Sequence, residues 1–289
     1  MDVIGESMKP LIVLQTDFSL DWPFVATMKG VIKQIDRELE IIDGSHTITQ
    51  FSILEGSQQL NYMEPFFPKG TIFVSVVDPG VGTSRKASVA KLKDGNIVIT
   101  PDNGSLSHVV DSVGVDKIYE ISPEYRYQGT EAVSVFHGRD IFGYVAALLA
   151  SGKVELEKIG KEYAIDDIVL LDPIYLRAKV ETKEITGIVS NVSDPFGSIV
   201  FNILTQDFND IGYRMGENIH ITLKENDHIY FDQDVYYGDS FGSVGLLEPI
   251  LFNSSSNYIS LGLNQGSFKN QYHIKAGKNF TVEIKEACD

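Results

Sequence analysis

The period of the hydrophobic pattern changes once along this chain, and that change limits the folds open to it. Up to about residue 165, short β-branched runs alternate with stretches of helical spacing. PLIVLQT (10–16) reads as a buried strand. Behind Pro23, a residue that a first helical turn tolerates, Phe24, Met28, Val31, Ile32 and Ile35 recur at helical spacing. ELEII (38–42) reads as a second strand, ILEGSQQLNYM (53–63) as a helix and TIFVSVV (71–77) as a third strand. ASVAKL (87–92) and NIVIT (96–100) predict a hairpin across residues 93–95, followed by a short helix near 106–110 and a strand KIYEI (117–121). Over 140–150, Ile141, Val145, Leu148 and Leu149 share one helical face. From about residue 180, EITGIVSNV, SIVFNI, NIHITL, HIYF, EPILFN and YISLGL are short strands at even spacing, separated by Gly, Asn, Asp and Pro. The expectation is an α/β N-terminal domain with a largely parallel sheet over residues 9–165, a linker over 166–179 and a smaller all-β C-terminal domain over 180–289. Within the linker, VLL (169–171) reads equally well as a last strand.

Composition narrows the partners. The net charge of −16, from 40 acids against 24 Lys plus Arg, repels phosphate backbones and anionic headgroups, so neither nucleic acid nor a membrane surface is expected. The longest apolar runs, such as residues 11–14, fall far short of the roughly 20 residues that span a bilayer. MDVIGESMKP has no basic flank and apolar run of the kind an exported protein needs, which predicts a cytoplasmic chain. A single cysteine, Cys288, excludes an internal disulfide and cannot form a thiolate metal cluster alone.

No GxxxxGK[ST] loop, HExxH, paired CxxC or GxSxG occurs, and GVGTSR fails the dinucleotide pattern at its last position. The six histidines are scattered. What remains is a set of polar loops that follow strands, where an α/β sheet builds its ligand crevice: QTDFS (15–19), VDPGVGTSR (77–85), TPDNGS (100–105) and FHGRD (136–140). SDPFGS (193–198) and FNSSSN (252–257) are similar loops in the second half. Taken singly, each has a bland explanation. An Asp beside Pro and Gly caps its own turn, Asp140 is a helix N-terminal acid with Arg139 as a surface partner, and Phe51, Phe196 and Phe241 are core aromatics.

Taken together, TDF (16–18), MKG (28–30), VVDPGVGTSR (76–85), PDNG (101–104), FHGRD (136–140), DPFG (194–197), FNS (252–254) and LNQGSF (263–268) resemble the S-adenosyl-L-methionine hydroxide adenosyltransferase family, a former domain of unknown function related to the fluorinase and chlorinase. The resemblance implies hydrolysis of S-adenosyl-L-methionine at C5′ to adenosine and L-methionine, without a metal or redox cofactor. It also implies a homotrimer whose sites lie between the N-terminal domain of one chain and the C-terminal domain of its neighbour. The family's catalytic Asp, Arg and His fall on Asp78, Arg85 and His137. Substrate positions fall on Asp17 (ribose), Phe51 (sugar or base), Asp194 (methionine ammonium), and Phe196, Ser198, Phe241, Asn253 and Ser254 around the adenine and amino-acid ends.

Two other functions stand beside this one. A halogenase of the same superfamily lacks the Asp, Arg and His set, and a non-catalytic adenosine or S-adenosyl-L-methionine binder would keep the pocket without turnover. The chain also departs from the family. Ser19 stands for the Gly of TDFG, Trp22 for an acid five residues after Asp17, Ser198 for the Asn of FGN, and Ser255 where the halogenases have an arginine.

Overall fold

The computed structural model describes residues 8–132, 135–193 and 196–287, arranged as two compact units, 1–171 and 172–289. The site positions Asp194 and the lone Cys288 lie outside the described residues.

The first unit runs β1 (Ile12–Thr16), α1 (Phe24–Ile35), β2 (Ile41–Ser45), α2 (Ile53–Met63), β3 (Ile72–Val76), β4 (Ala87–Leu92), β5 (Ile97–Pro101), α3 (Ser107–Ser112), β6 (Val115–Ile121), α4 (Tyr144–Ala150) and β7 (Gly160–Glu162). The sheet order is β2-β1-β3-β5-β4-β6-β7, with β4 and β7 running against the other five strands. The sheet is therefore largely parallel in strand direction, and the expected hairpin is the antiparallel β4–β5 pair. Every residue of β1 and of β3 is buried, because helices cover both faces. Along β1, Ile12 and Leu14 pack with Met28 and Ile32 of α1 and Val145 of α4, while Val13 packs on the opposite side with Leu60 of α2 and Val109 of α3.

The chain leaves β1 for β2 on one side and returns from β2 to β3 on the other, so the sheet has its switch point between β1 and β3. Ligand crevices of α/β sheets open at such a point, beyond the C-terminal strand ends. Thr16 pairs with Val76 at those ends, which sets the loops carrying Asp17 and Asp78 side by side.

Local chemistry moved some boundaries. The second strand begins at Ile41 rather than Glu38, because the Asp36 carboxylate accepts from the Glu38 amide at 2.9 Å and closes a turn there. The expected helix over 140–150 opens as a single π turn, Gly138–Gly143, before continuing as α4. VLL forms no strand, and Ile168 just before it packs into the core of the first unit.

The second unit comprises β8 (Lys179–Glu181), β9 (Glu184–Ser193), β10 (Ser198–Leu204), α5 (Thr205–Ile211), β11 (Asn218–Glu225), β12 (His228–Tyr237), β13 (Pro249–Asn253), β14 (Tyr258–Leu263), α6 (Phe268–Tyr272) and β15 (Gly277–Glu286). Its order is β10-β14-β13-β12-β11-β15-β9-β8, and a further β9–β10 pairing closes the sheet into a barrel. Closure removes the open edges that β9 and β10 would otherwise present. β15 sits between β11 and β9, and its alternating Phe280, Val282 and Ile284 point into the core. Short α6 adds Phe268 to that core, with Phe231 at 5.0 Å between ring centroids.

Candidate active site

The loop after β3 turns on Pro79, Gly80 and Gly82, the last at φ 78°, where a side chain would be strained. The turn folds Arg85 back onto Asp78. Arg85 Nε donates to Asp78 Oδ1 at 2.9 Å, and Nη2 donates to Oδ2, giving a two-point fork. The fork is largely buried, with the side chains 5% and 10% exposed for Asp78 and Arg85. The guanidinium lies over the Phe142 ring at 5.4 Å, and Asn103 of the PDNG motif donates to the Val77 carbonyl at 2.9 Å, fixing the peptide before Asp78.

His137 immediately precedes the π turn and approaches the same guanidinium, with Nδ1 2.7 Å from Arg85 Nη2. Arginine has no acceptor, so Nδ1 must accept, and the neutral ring carries its proton on Nε2. Burial pushes the His137 pKa below its ordinary value, and the cations Arg85 and Arg126 push it further down, against the weaker pull of Asp78 and Asp140. The neutral ring is the form this geometry requires.

Asp17 and Phe51 also meet. Phe51 holds φ 65°, an outlier for an aromatic residue, and its amide donates to Asp17 Oδ2 at 2.9 Å. Ser52 then caps α2 by accepting from the Glu55 amide, so the Phe51 ring stands 67% exposed at the crevice rim rather than in the core. Ser19 has φ 59°, which explains why glycine suits this position, and its hydroxyl bonds to Asp21 Oδ2 at 2.8 Å. The TDF and FHGRD loops touch through Phe18 and Phe136, 5.7 Å between centroids, and a Cβ on Gly138 would lie 3.1 Å from the Phe18 ring. Phe24 joins both rings, and exposed Trp22 stacks on Phe24 at 6.4 Å.

Asp140 lies in the first turn of the π helix and accepts from Arg139 Nε at 2.6 Å, as its position beside a helix start suggests, but it is fully buried. Asp102 is likewise committed: it accepts from the Tyr163 hydroxyl at 3.1 Å and the Val169 amide at 2.9 Å, tying down the end of the first unit. Among the described residues, no group of three or more His, Cys, Asp or Glu is placed to hold a metal ion.

In the second unit, Ser198 of β10 and Phe241 flank Gly262 of β14: a Cβ on Gly262 would sit 2.6 Å from Ser198 Oγ and 3.0 Å from the Phe241 ring. Phe241 packs on Phe252 at 4.9 Å, while Phe196 is 74% exposed beside Gly197 at φ 73°. Asn253 and Ser254 both have hydrogen-bond partners within the unit. Asn253 Oδ1 accepts from the Tyr237 hydroxyl at 2.7 Å, and Ser254 closes the next turn onto the Tyr258 carbonyl at 2.8 Å. Sequence reasoning missed Asn103, Phe18, Phe136 and His46 as parts of these loops. Only the first three carried a signal, since each sits inside a motif.

Both units are similar to known proteins. Residues 12–160 match the SAM hydroxide adenosyltransferase N-terminal domain and residues 191–281 its C-terminal domain. A protein named (R)-S-adenosyl-L-methionine hydrolase from Methanocaldococcus jannaschii is 31% identical over 263 residues, 86% of this chain and 90% of that one. A fluorinase from Nocardia brasiliensis is 27% identical over 302 residues, 96% of this chain and 97% of that one. The crystal structure of an uncharacterized conserved protein from Thermotoga maritima superposes with a TM-score of 0.86 at 32% identity, covering 96% of this chain and 100% of the other. With both domains matched in order along most of its length, the chain belongs to the SAM hydroxide adenosyltransferase family.

Proposed function

We propose that the protein hydrolyses S-adenosyl-L-methionine to adenosine and L-methionine. The observation that carries this reading is the buried Asp78–Arg85 fork with His137 Nδ1 on the same guanidinium. Water or hydroxide attacks C5′ as the C5′–S bond breaks. The sulfur keeps the bonding pair and leaves as the neutral thioether of methionine, and the net reaction releases one proton. A sulfonium is already an activated leaving group, so no metal or redox cofactor is called on. The protein's task is to hold the oxygen in line with the C5′–S bond. Asp78 and Arg85 orient it, and the Nε2–H of His137 faces it as a donor that favours hydroxide over water. Asp17 grips the ribose hydroxyls and Phe51 covers the sugar. Asp194, Phe196, Ser198, Phe241, Asn253 and Ser254 are assigned to the adenine and methionine ends.

Turnover in ¹⁸O-water is expected to place label in the 5′-hydroxyl of adenosine, read by mass spectrometry. Adenosine without label overturns the mechanism. The fluorinase relative motivates a second arm, with fluoride or chloride supplied: a 5′-halo-5′-deoxyadenosine product would replace the hydrolase by a halogenase.

The proposal includes a homotrimer with sites completed by a neighbouring chain, in the cytoplasm, where the substrate is made and used. Leu20 (66% exposed), Trp22 (69%) and Val135 (74%) flank the motif loops, and exposed apolar groups of this kind suit a subunit contact. Sedimentation equilibrium should give three times the chain mass, and Trp22→Lys should lower it. A wild-type mass of one chain overturns the assembly.

A further inference from the structure

We propose that His46, buried behind the first motif loop, is a positioning residue for Asp17, acting through Thr16. The inference rests on Asp17 holding the ribose.

The arrangement begins with an irregularity in the sheet. β1 pairs with β2 as Leu14 with Asp43 and then Gln15 with Ser45, so Gly44 is an extra residue, a bulge in an otherwise regular parallel pair. Glycine leaves room there for the tip of Met63, since a Cβ would lie 2.8 Å from Met63 Sδ. Beyond the bulge Ser45 pairs with Gln15, and the residue after it, His46, brings its ring to Thr16. Both are buried, at 4% and 0% exposure.

The hydrogen bonds then have one direction. Asp43 pairs with Lys29 at 2.6 Å through Oδ2, and its Oδ1 lies 3.0 Å from His46 Nε2. An ionised carboxylate only accepts, so Nε2 carries the proton, and in the neutral imidazole Nδ1 is then the acceptor. The Thr16 hydroxyl, 2.9 Å away, therefore donates to Nδ1, which leaves its oxygen free to accept the Phe18 amide at 3.2 Å. The main-chain carbonyl of His46 takes the next amide, that of Ser19, at 2.8 Å. One buried histidine thus fixes the two residues that follow Asp17, including Ser19 in its strained conformation at φ 59°. Asp17, held from below, presents its carboxylate to Phe51 and to the crevice. The hydrogen bonds end within the first motif loop, and only the Phe18 ring passes on to the loop of His137, through Phe136, so the larger effect belongs to substrate binding and the smaller to the attack on C5′.

The test measures adenosine affinity by calorimetry together with steady-state kinetics. His46→Ala should raise the adenosine Kd and the KM about tenfold while kcat falls less than about threefold, as for loss of a buried hydrogen-bonded support. The pH profile of kcat should stay in place. His46→Asn, whose amide oxygen can replace Nδ1 as acceptor, should recover most of the affinity. Thr16→Val should repeat the loss and Thr16→Ser should not, and this pair decides the matter if His46→Ala does not fold. A folded variant lacking either contact with unchanged Kd overturns the proposal, as does a fall in kcat at constant KM. Wild-type protein that binds no adenosine sinks the underlying reading of Asp17. The ¹⁵N spectrum of the His46 ring then still judges the network, which requires a proton on Nε2 and none on Nδ1.

Discussion

Arg85→Met is expected to lower turnover of S-adenosyl-L-methionine by roughly 10³-fold with little change in KM, since it removes groups used in the transition state and not in ground-state binding. Methionine keeps the bulk of the apolar stem, while the guanidinium over Phe142 is lost with the charge. What disappears is the fork. The Asp78 carboxylate is left 5% exposed without its cation, and His137 Nδ1 loses the donor that fixes its tautomer. Arg85→Lys should recover only a small part of the rate, because an ammonium cannot bridge both carboxylate oxygens and the imidazole in one plane. The pH dependence supplies a second readout. In the wild type, burial and then Arg85 and Arg126 hold the His137 pKa below its ordinary value, so the ring keeps its neutral form to lower pH than a free imidazole. Removing Arg85 takes away one of those cations, and the acid limb of the residual kcat/KM should move to higher pH. A limb that stays in place would show that His137 does not feel Arg85.

Glu64→Gln should stabilise the protein above neutral pH and do little at pH 4.5. Glu64 is 2% exposed, accepts from Asn96 Nδ2 at 2.6 Å and shares a hydrogen bond with Asp94. Burial first, and then Asp94, push its pKa up from 4.5 to about 7. A carboxyl whose pKa is raised on folding binds more protons folded than unfolded between those values, so its contribution is present below 4.5 and is lost as pH rises through 7. At 1.36 kcal/mol per unit the loss is about 3 kcal/mol. Glutamine imitates the protonated acid at every pH and can still accept from Asn96 while donating to Asp94. Denaturant melts at pH 4.5 and 8 should show the gap between variant and wild type widening by about that amount, or several degrees in Tm. A gap independent of pH would mean that Glu64 is ionised throughout.

The first unit's elements could be read from the sequence because each strand and helix has its own local period, and α2 begins and ends where the pattern placed it. The loops that carry Asp78, Arg85 and His137 stood out because they follow strands or precede a helix, while the choice of these three residues within them came from the family resemblance. Long-range pairing left no such trace. β15 alternates Phe280, Val282 and Ile284 clearly enough to be a strand, yet its place between β11 and β9 depends on partners some 60 and 90 positions away. The same holds for His46. Its nearest clue is an Asp three residues earlier, a spacing too common to mean anything until the Gly44 bulge brings the pair against Thr16. Phe18 and Phe136 each sit inside a motif, yet only the fold shows that their rings join the two loops.

The π turn at 138–143 makes chain length itself a determinant of the site. A π turn holds one more residue than an α turn, and each residue of a helix advances about 100° around its axis. Deleting one residue from this turn would mend the helix and leave α4 seated as before. Because the π turn absorbs its extra residue, the flanks keep their register, and His137 would turn far less than that while the side chains of the turn itself are redistributed. The extra residue therefore decides which groups line the turn between His137 and α4, at little cost to either end.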